Sequence, residues 1–265
     1  MNQSRFVLEK YSEMRAATTV DNMKHITSMM KFDAGDNVLD LGCGPGRLTK
    51  LISSQAKSVT GIDKSPGMID VAKRYQSADN ITYVVADACD FDILEKYRQT
   101  FDKVVVCYVL HWNVNIEPLL KRTHQYLKPG GQCYLNTHVT CSGFDRDTIA
   151  TIAAYTKEPK WARYMEGYEY PYYPYQGSCD DFKEDLRKAG FKNMECKIDV
   201  KELLTDDEDI AKARYRNFMD HANRVPEELR EEYLEDAFNF VAEKSRTEGR
   251  EYAFSTKNFS AVACK

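Results

Sequence analysis

The hydrophobic positions of the first 140 residues alternate between two patterns. Short, almost continuous apolar runs have the length of buried strands, and longer segments carry apolar residues at the spacing of amphipathic helices. A parallel sheet with crossover helices produces this alternation, because its strands are covered on both faces. The predicted strands are 37–42, 58–63, 82–87, 102–109 and 132–139, and the predicted helices are 5–31, a segment ending near 54, one opened by Ser65 and Pro66, and 115–126.

The pattern changes after residue 140, where about 35 residues rich in tyrosine precede the next helix. Ser178 and Gly190 mark the two ends of that helix. Thr205 and Glu208 form a predicted capping box for a later helix that runs to about Ala222. The remaining predicted elements are a strand at 191–200, a helix at 226–244 and an alternating, antiparallel closing strand at 252–264.

These elements predict an α/β fold, a Rossmann-like seven-stranded sheet that is mostly parallel and has an antiparallel last strand. We expect one domain, 1–265, whose cofactor-binding core is 35–140. Two insertions, 141–177 and 203–250, are expected to form a helical cap and to shape a substrate pocket. Neither an internal repeat nor a low-complexity linker interrupts this arrangement.

Charge and composition limit the kinds of partner that we expect this chain to bind. The 265 residues contain 37 basic and 41 acidic side chains, with a formal net charge of -4 and a pI near 5.8. No summed positive field draws such a chain to nucleic acid. The apolar runs are far shorter than the roughly 20 residues that span a bilayer, and the N-terminus has no apolar signal region. We therefore expect a cytoplasmic protein with a small-molecule substrate, without nucleic-acid or membrane partners, as a monomer or a homodimer.

The eight cysteines and five histidines show no spacing typical of a metal site. No Cys-x-x-Cys pair occurs, and a disulfide framework is not expected in a chain of this kind. The acidic run 206–209 lies in the first turn of a predicted helix, where negative charge suits the helix dipole. We predict no metal ion.

The most specific motif is a Gly-x-Gly-x-Gly turn, Gly42 to Gly46, which follows the first buried strand and precedes a helix. Glycines there let the backbone approach a ligand closely. A dinucleotide site has the related pattern Gly-x-Gly-x-x-Gly, which faces a pyrophosphate. Here the third glycine comes one residue early, and Asp40 lies inside the end of the strand. A carboxylate beside the turn would repel a diphosphate but hold an ammonium group.

Three acids lie at the carboxyl ends of the first three predicted strands. Asp63 ends the second strand, where it can accept both hydroxyls of a ribose, and Asp87 ends the third, where it can accept the amino group of an adenine. Together with Asp40 they line the crevice at which an open α/β sheet binds its ligand. A ligand with an amine, a ribose and an adenine but no phosphate is S-adenosylmethionine.

Residues 35–140 resemble the class I S-adenosylmethionine-dependent methyltransferases. The resemblance rests on the glycine turn and on three further segments, 61–68, 101–106 and 127–131. It implies that Met68 packs on the adenine. The residues predicted to bind the cofactor are Asp40, Gly42, Cys43, Gly44, Gly46, Asp63, Lys64, Met68, Asp87, Ala88 and Tyr108.

A second resemblance, to the juvenile hormone acid O-methyltransferases, covers nearly the whole length. It rests on four segments, 108–112, 160–161, 225–229 and 233–236, and on the short leader. That family converts the carboxylate of a farnesoid acid to a methyl ester. The resemblance implies that the acid is held by the indole nitrogen of Trp112 and by a glutamine of the first helix.

Met14 occupies the place of that glutamine. A thioether is a weak acceptor and cannot donate to a carboxylate. Arg15 could supply a charged contact, although adjacent helix residues point about 100° apart. The predicted substrate-binding residues are Met14, Arg15, His111, Trp112, Trp161, Tyr168 and Tyr172.

The alternatives concern the acceptor and the aromatic residues. A carboxylate needs no general base, so no catalytic residue is obligatory, and His111 is the candidate base only for an amine, a phenol or an alcohol. The tyrosines of 164–175 can line a pocket or pack the cap. The predicted activity is transfer of a methyl group to a small apolar acid. Other small-molecule methyltransferases and a non-catalytic cofactor-binding protein are the alternatives.

Overall fold

A seven-stranded sheet organises the computed structural model, which describes residues 16–88, 91–139, 148–216, 218–245 and 252–265. The strand order is β3-β2-β1-β4-β5-β7-β6. The strands are β1 (Asn37–Leu41), β2 (Ser58–Asp63), β3 (Ile81–Val85), β4 (Phe101–Cys107), β5 (Leu127–His138), β6 (Lys192–Thr205) and β7 (Tyr252–Cys264).

Pairing is parallel from β3 to β5 and changes direction at β7. β1 pairs in parallel with β2 and β4, as β2 does with β3 and β4 with β5. Backbone hydrogen bonds join Lys265 to Gly131 and Val139 to Lys257, so residue numbers rise along β5 as they fall along β7. The predicted fold class, a mostly parallel Rossmann-like sheet with an antiparallel last strand, is confirmed.

Two helices of the described residues begin at predicted caps. The Ser65 hydroxyl accepts the N–H of Met68 at the start of α3, and Ser178 with Asp181 forms a capping box at α7. The helices are α1 (Ala16–Met29), α2 (Arg47–Ser53), α3 (Pro66–Tyr75), α4 (Phe91–Tyr97), α5 (Glu117–Tyr126), α6 (Thr148–Tyr155), α7 (Cys179–Lys188), α8 (Glu208–Arg216) and α9 (Glu227–Ser245).

The predicted capping box at α8 is wrong. Asp207 caps this helix, because its Oδ1 atom accepts the N–H of Ile210 at 3.0 Å. Thr205 is the last residue of β6, and Glu208 is occupied by an ion pair with Lys212. α8 also ends at Arg216, six residues before the predicted end. A separate 3-10 helix, Asp220–Arg224, follows it.

The centre of the sheet is largely apolar. Val38 and Leu39 of β1 and Val105 of β4 are fully buried, as the continuous apolar runs predict for parallel strands covered on both faces. α1 packs on this region through Ile26, which is also fully buried. Full burial of one such side chain stabilises the fold by about 1.5 to 3 kcal/mol.

Contacts divide the chain into two compact units. Unit 1 comprises 1–137, 177–197 and 259–265, and unit 2 comprises 138–176 and 198–258. Unit 1 contains the sheet from β1 to β4, while unit 2 contains α6, α8 and α9. Among the described helices, none has the combination of length and apolar character that crossing a membrane requires.

Unit 2 has a core made largely of aromatic rings. Tyr233 of α9 is fully buried, and its ring centroid lies 5.4 Å from that of Tyr155 and 5.2 Å from that of Trp161. The indole Nε1 of Trp161 donates to Asp236 Oδ2 at 3.2 Å. Offset and edge-to-face packing of this kind adds about 0.5 to 1.5 kcal/mol per pair to the burial of apolar area.

His221 lies inside this aromatic core. Its ring stacks on Tyr168 at 5.7 Å and meets Tyr170 and Tyr233 edge-to-face at 5.5 and 5.7 Å. Neither ring nitrogen has a hydrogen-bond partner among the described residues. Burial lowers the pKa of His221 from 6.5 to about 4, so the imidazole is neutral at pH 7.

We predict that His221 makes unit 2 less stable in mild acid. Between pH 6.5 and 4 the unfolded state binds a proton that the folded state excludes, so stability falls as the pH falls. When the pH falls from 8 to 5, the unfolding free energy of the His221→Phe variant should therefore decrease by about 2 kcal/mol less than that of the wild type. Urea unfolding at the two pH values measures the change. An identical pH dependence in both proteins would contradict the assignment.

Candidate cofactor and acceptor site

The turn between β1 and α2 depends on three glycines with left-handed backbone conformations. Gly42, Gly44 and Gly46 have φ values of 77°, 53° and 81°. Two of them also lie in close contact with side chains: a Cβ on Gly42 would meet Val109 Cγ2 at 2.3 Å, and one on Gly46 would meet Tyr83 Oη at 2.5 Å. These contacts exclude any larger residue, because such separations are far inside van der Waals distance.

Gly44 differs from its two neighbours in the space around it. A Cβ on Gly44 would meet no atom within 4 Å. Its N–H donates to Asp63 Oδ2 at 2.9 Å, which fixes the turn against the end of β2. The middle of the turn therefore offers bare backbone with open space beside it, the local shape that a closely approaching ligand requires.

Asp63 is held by the backbone on both sides. Its Oδ2 accepts from Gly44 and its Oδ1 accepts the N–H of Ser65 at 2.8 Å. Burial raises the pKa of Asp63, while these two hydrogen bonds and Lys64 oppose the rise. Each carboxylate oxygen has a second lone pair, so this fixed group can still accept two hydroxyls of a ribose.

Asp40 is enclosed beneath the turn. It is 1% exposed, and its Oδ2 accepts the hydroxyl of Thr49 at 2.6 Å. Burial raises the pKa of Asp40 to about 7, the Thr49 hydrogen bond opposes the rise, and the charge of Asp63 adds to it. A cation bound at the turn would favour the ionised form of both acids.

Tyr83 of β3 packs against the glycine turn. Its hydroxyl donates to the carbonyl oxygen of Gln76 at 3.0 Å and lies 3.3 Å from that of Gly46. The ring also blocks any Cβ at Gly61. Sequence reasoning misses Tyr83 and Thr49, because a tyrosine in a strand and a threonine in a helix carry no sign of the residues they will contact.

The other predicted cofactor residues lie around the same strand ends. Cys43 is buried, and burial raises the pKa of its thiol. Lys64 and Asp87 are exposed, Met68 and Tyr108 are half-buried, and the Ala88 carbonyl accepts from the hydroxyl of Tyr126 at 2.8 Å. Because β1, β2 and β3 are parallel, their carboxyl ends meet at one edge of the sheet.

The end of β4 has an unusual backbone. Tyr108 has φ 60°, a left-handed conformation that is uncommon for a bulky residue. A 3-10 helix, Leu110–Trp112, follows directly. His111 is 2% exposed, and its ring centroid lies 5.1 Å from that of Trp112, which is 38% exposed. The strand order reverses between β1 and β4, so these residues lie beside the switch point at which open α/β sheets bind ligands.

The remaining predicted substrate residues belong to unit 2 or lie outside the described residues. Trp161, Tyr168 and Tyr172 belong to the aromatic core of unit 2, where Trp161 is 3% exposed and Tyr172 is 8% exposed. Met14 and Arg15 lie outside the described residues. A substrate role for these five side chains stays a prediction. Among the described residues, no cluster of three or more histidines, cysteines or acids could hold a metal ion.

S-adenosylmethionine fits the residues of this site. The open backbone at Gly44 leaves room for a ligand, and Asp63 presents a fixed acceptor for hydroxyls. Asp40 is buried and Asp63 half-buried, and burial raises the pKa of both acids. A positive charge on the ligand would favour their ionised forms, whereas a phosphate would disfavour them. Asp63 would hold the ribose, Asp87 the adenine amino group, and the glycine turn the amino acid portion.

Comparison with known proteins agrees with this chemistry. Residues 38–131 match the family model of a methyltransferase domain. The juvenile hormone acid O-methyltransferase of Bombyx mori is 25% identical over 213 residues, covering 79% of this chain and 75% of that protein. The ubiquinone biosynthesis O-methyltransferase of Coxiella burnetii is 35% identical over 105 residues, covering 39% of this chain and 44% of the relative.

A solved structure shares the fold. Phosphoethanolamine N-methyltransferase 2 of Haemonchus contortus, in complex with phosphomonomethylethanolamine and S-adenosylhomocysteine, superposes with a TM-score of 0.61 at 20% identity. The match covers 99% of this chain and 58% of that one. This likeness is one of fold.

We predict that a methyl group added at Gly44 weakens cofactor binding without unfolding the protein. Gly44→Ala should raise the dissociation constant for S-adenosylmethionine at least tenfold, since its Cβ would occupy the open side of the turn. Gly130→Ala is the matched control, because Gly130 has φ 79° and also has no atom within 4 Å of a built Cβ. Both variants should lose about 1 kcal/mol of stability. Calorimetry and urea unfolding measure the two effects, and equal cofactor affinity in the two variants would refute the placement.

Proposed function

We propose that this chain, which is a class I S-adenosylmethionine-dependent methyltransferase, transfers the methyl group to the carboxylate of a small apolar acid and forms a methyl ester. The observation that carries the acceptor class is the exposure of Trp112, which is 38% at the end of β4, beside a buried His111. An exposed indole combines an apolar face with one N–H donor. A lipophilic carboxylate requires both features.

The relative from Bombyx mori supports the same acceptor. Its name gives an acid as the substrate, and the similarity extends over three quarters of its length. The segments that resemble that family include 108–112, which contains Trp112. Met14 in place of a glutamine removes one contact to the acid, so Trp112 becomes the main determinant of carboxylate binding in this proposal.

The proposed reaction needs orientation rather than proton transfer. When bound, S-adenosylmethionine supplies an activated methyl group whose sulfur leaves as a neutral thioether. An acid is already ionised at neutral pH, so no residue has to remove a proton. The residues of the site bind both molecules and align the attacking oxygen, an effect worth about 7 to 11 kcal/mol in well-oriented systems.

We expect the purified protein to methylate a lipophilic acid. The experiment incubates it with methyl-labelled S-adenosylmethionine and a panel of farnesoid and fatty acids. A methyl ester releases its label as methanol in base, whereas a methyl ether or a methylamine does not. Tight cofactor binding without a base-labile product from any acid would refute the ester proposal and leave the methyltransferase class intact.

Trp112→Phe tests the indole. The variant keeps an apolar ring but loses the N–H, so kcat/KM for the acid should fall about 10- to 100-fold, the value of one hydrogen bond to a charged group. Affinity for S-adenosylmethionine should stay unchanged. Val114→Ala is the control, because Val114 lies two residues away and is 80% exposed. A Trp112→Phe enzyme with wild-type kcat/KM would contradict the assignment.

A hydroxyl acceptor is the second candidate, favoured by the match to ubiquinone biosynthesis O-methyltransferases. That chemistry needs a base, and His111 is the candidate. His111→Asn should then reduce kcat by roughly 100-fold or more and remove one limb of the pH profile. With a carboxylate acceptor the same variant should retain the wild-type pH profile, because burial gives His111 a packing role.

A further inference from the structure

Two cysteines of unit 1 have their sulfur atoms close together, although neither cysteine belongs to the candidate cofactor site. The sulfur atoms of Cys179 and Cys196 are 2.9 Å apart, and both residues are free thiols. A disulfide bond is about 2.05 Å long. The sulfurs therefore need to approach by only about 0.9 Å to form a covalent bond.

The two residues are held by different elements. Cys179 is the first residue of α7, directly after the capping residue Ser178. Cys196 lies on β6, 17 residues further along the chain. The capping box fixes the start of α7, so the short separation reflects two ordered backbone segments.

Both thiols are accessible to a small reagent. Cys179 and Cys196 are half-buried, whereas Cys43 and Cys133 are buried within unit 1. Burial and the hydrogen bond with Cys179 raise the pKa of Cys196, so less of this thiol is ionised at neutral pH than in an ordinary exposed cysteine. The ammonium group of Lys183, one turn along α7, is paired with Asp180 at 3.0 Å.

We propose that Cys179 and Cys196 form a reversible disulfide that joins the start of α7 to β6. The oxidant is a low-molecular-weight disulfide of the glutathione type. The Cys179 thiolate attacks one sulfur of that disulfide and expels a thiolate, which leaves a mixed disulfide on Cys179. The Cys196 thiolate then attacks Cys179 and releases the second glutathione. Two protein thiols are oxidised and one glutathione disulfide is reduced to two thiols.

The bond would stabilise the edge of the sheet. β6 is the last strand in the sheet order, so it pairs with one neighbouring strand only. A cross-link that closes a loop of this length restricts the unfolded chain considerably. Cys179 and Cys196 lie outside the predicted cofactor and acceptor residues, so we expect stability to change more than cofactor affinity.

The experiment equilibrates the full chain with glutathione and glutathione disulfide, alkylates the remaining thiols and maps the peptides by mass spectrometry. We expect one cross-linked peptide pair, Cys179 to Cys196, that disappears on reduction. The oxidised protein should unfold at a temperature about 5 °C or more above the reduced protein. Cys264→Ser, which removes another half-buried thiol of unit 1, should cross-link like wild type.

Cys179→Ser and Cys196→Ser should each abolish the cross-link and the difference in unfolding temperature between oxidised and reduced protein. Recovery of both cysteines with glutathione adducts alone, or of a bond from either cysteine to another position, would overturn the proposal. Alkylation of the wild-type protein gives the same decision if a variant fails to fold, because the cross-linked pair is mapped there directly.

Discussion

The hydrogen bond from the Gly44 N–H to the Asp63 carboxylate is the contact on which the candidate site depends. It joins the turn after β1 to the end of β2 at 2.9 Å. The same carboxylate accepts the N–H of Ser65, the residue that caps α3. One acid therefore shapes the glycine turn and the start of a helix while it keeps the lone pairs that a ribose would need. Asp63 is half-buried, which strengthens these bonds because they lie in a medium of lower dielectric constant than water.

Much of the fold follows from local pattern. Strands such as β1 and β4 are predictable because parallel strands covered on both faces need an apolar residue at nearly every position. The starts of α3 and α7 are predictable because a serine before a helix has a definite chemical role. The start of α8 is not, since Thr205, Asp206 and Asp207 can all cap a helix and only the end of β6 decides among them.

The hydrophobic pattern does not predict α4 and α6. Their described parts, Phe91–Tyr97 and Thr148–Tyr155, each span about two turns. So short a segment shows little of a period of 3.6, and tertiary packing supplies most of the stability of a short helix. α2 is equally short, but the glycine turn before it marks its start. α6 contributes Ile149 and Ile152 to the aromatic core of unit 2.

Some residues of the site can be predicted from residue type, whereas others depend on side-chain surroundings that the sequence does not show. The glycines and Asp63 are identifiable because the backbone leaves few alternatives at those positions. Residue type does not predict which side chains are buried. Asp40 is buried and accepts a hydrogen bond from Thr49, and Trp161 donates a hydrogen bond to Asp236 within the core of unit 2. Tyr83 supports the turn through a contact between residues far apart in the chain. Side-chain surroundings of this kind arise only when the elements are assembled.

The position of β7 affects how the sheet assembles. β7 follows β6 along the chain but lies between β5 and β6 in the sheet. β6 therefore has no place in the sheet until β7 has paired with β5, more than 100 residues away in sequence. Contacts of such long range form slowly, because the chain loses much entropy before it gains them. Folding of this edge should thus be a late event, and until it is complete the side of β5 that β7 will cover remains an open strand edge.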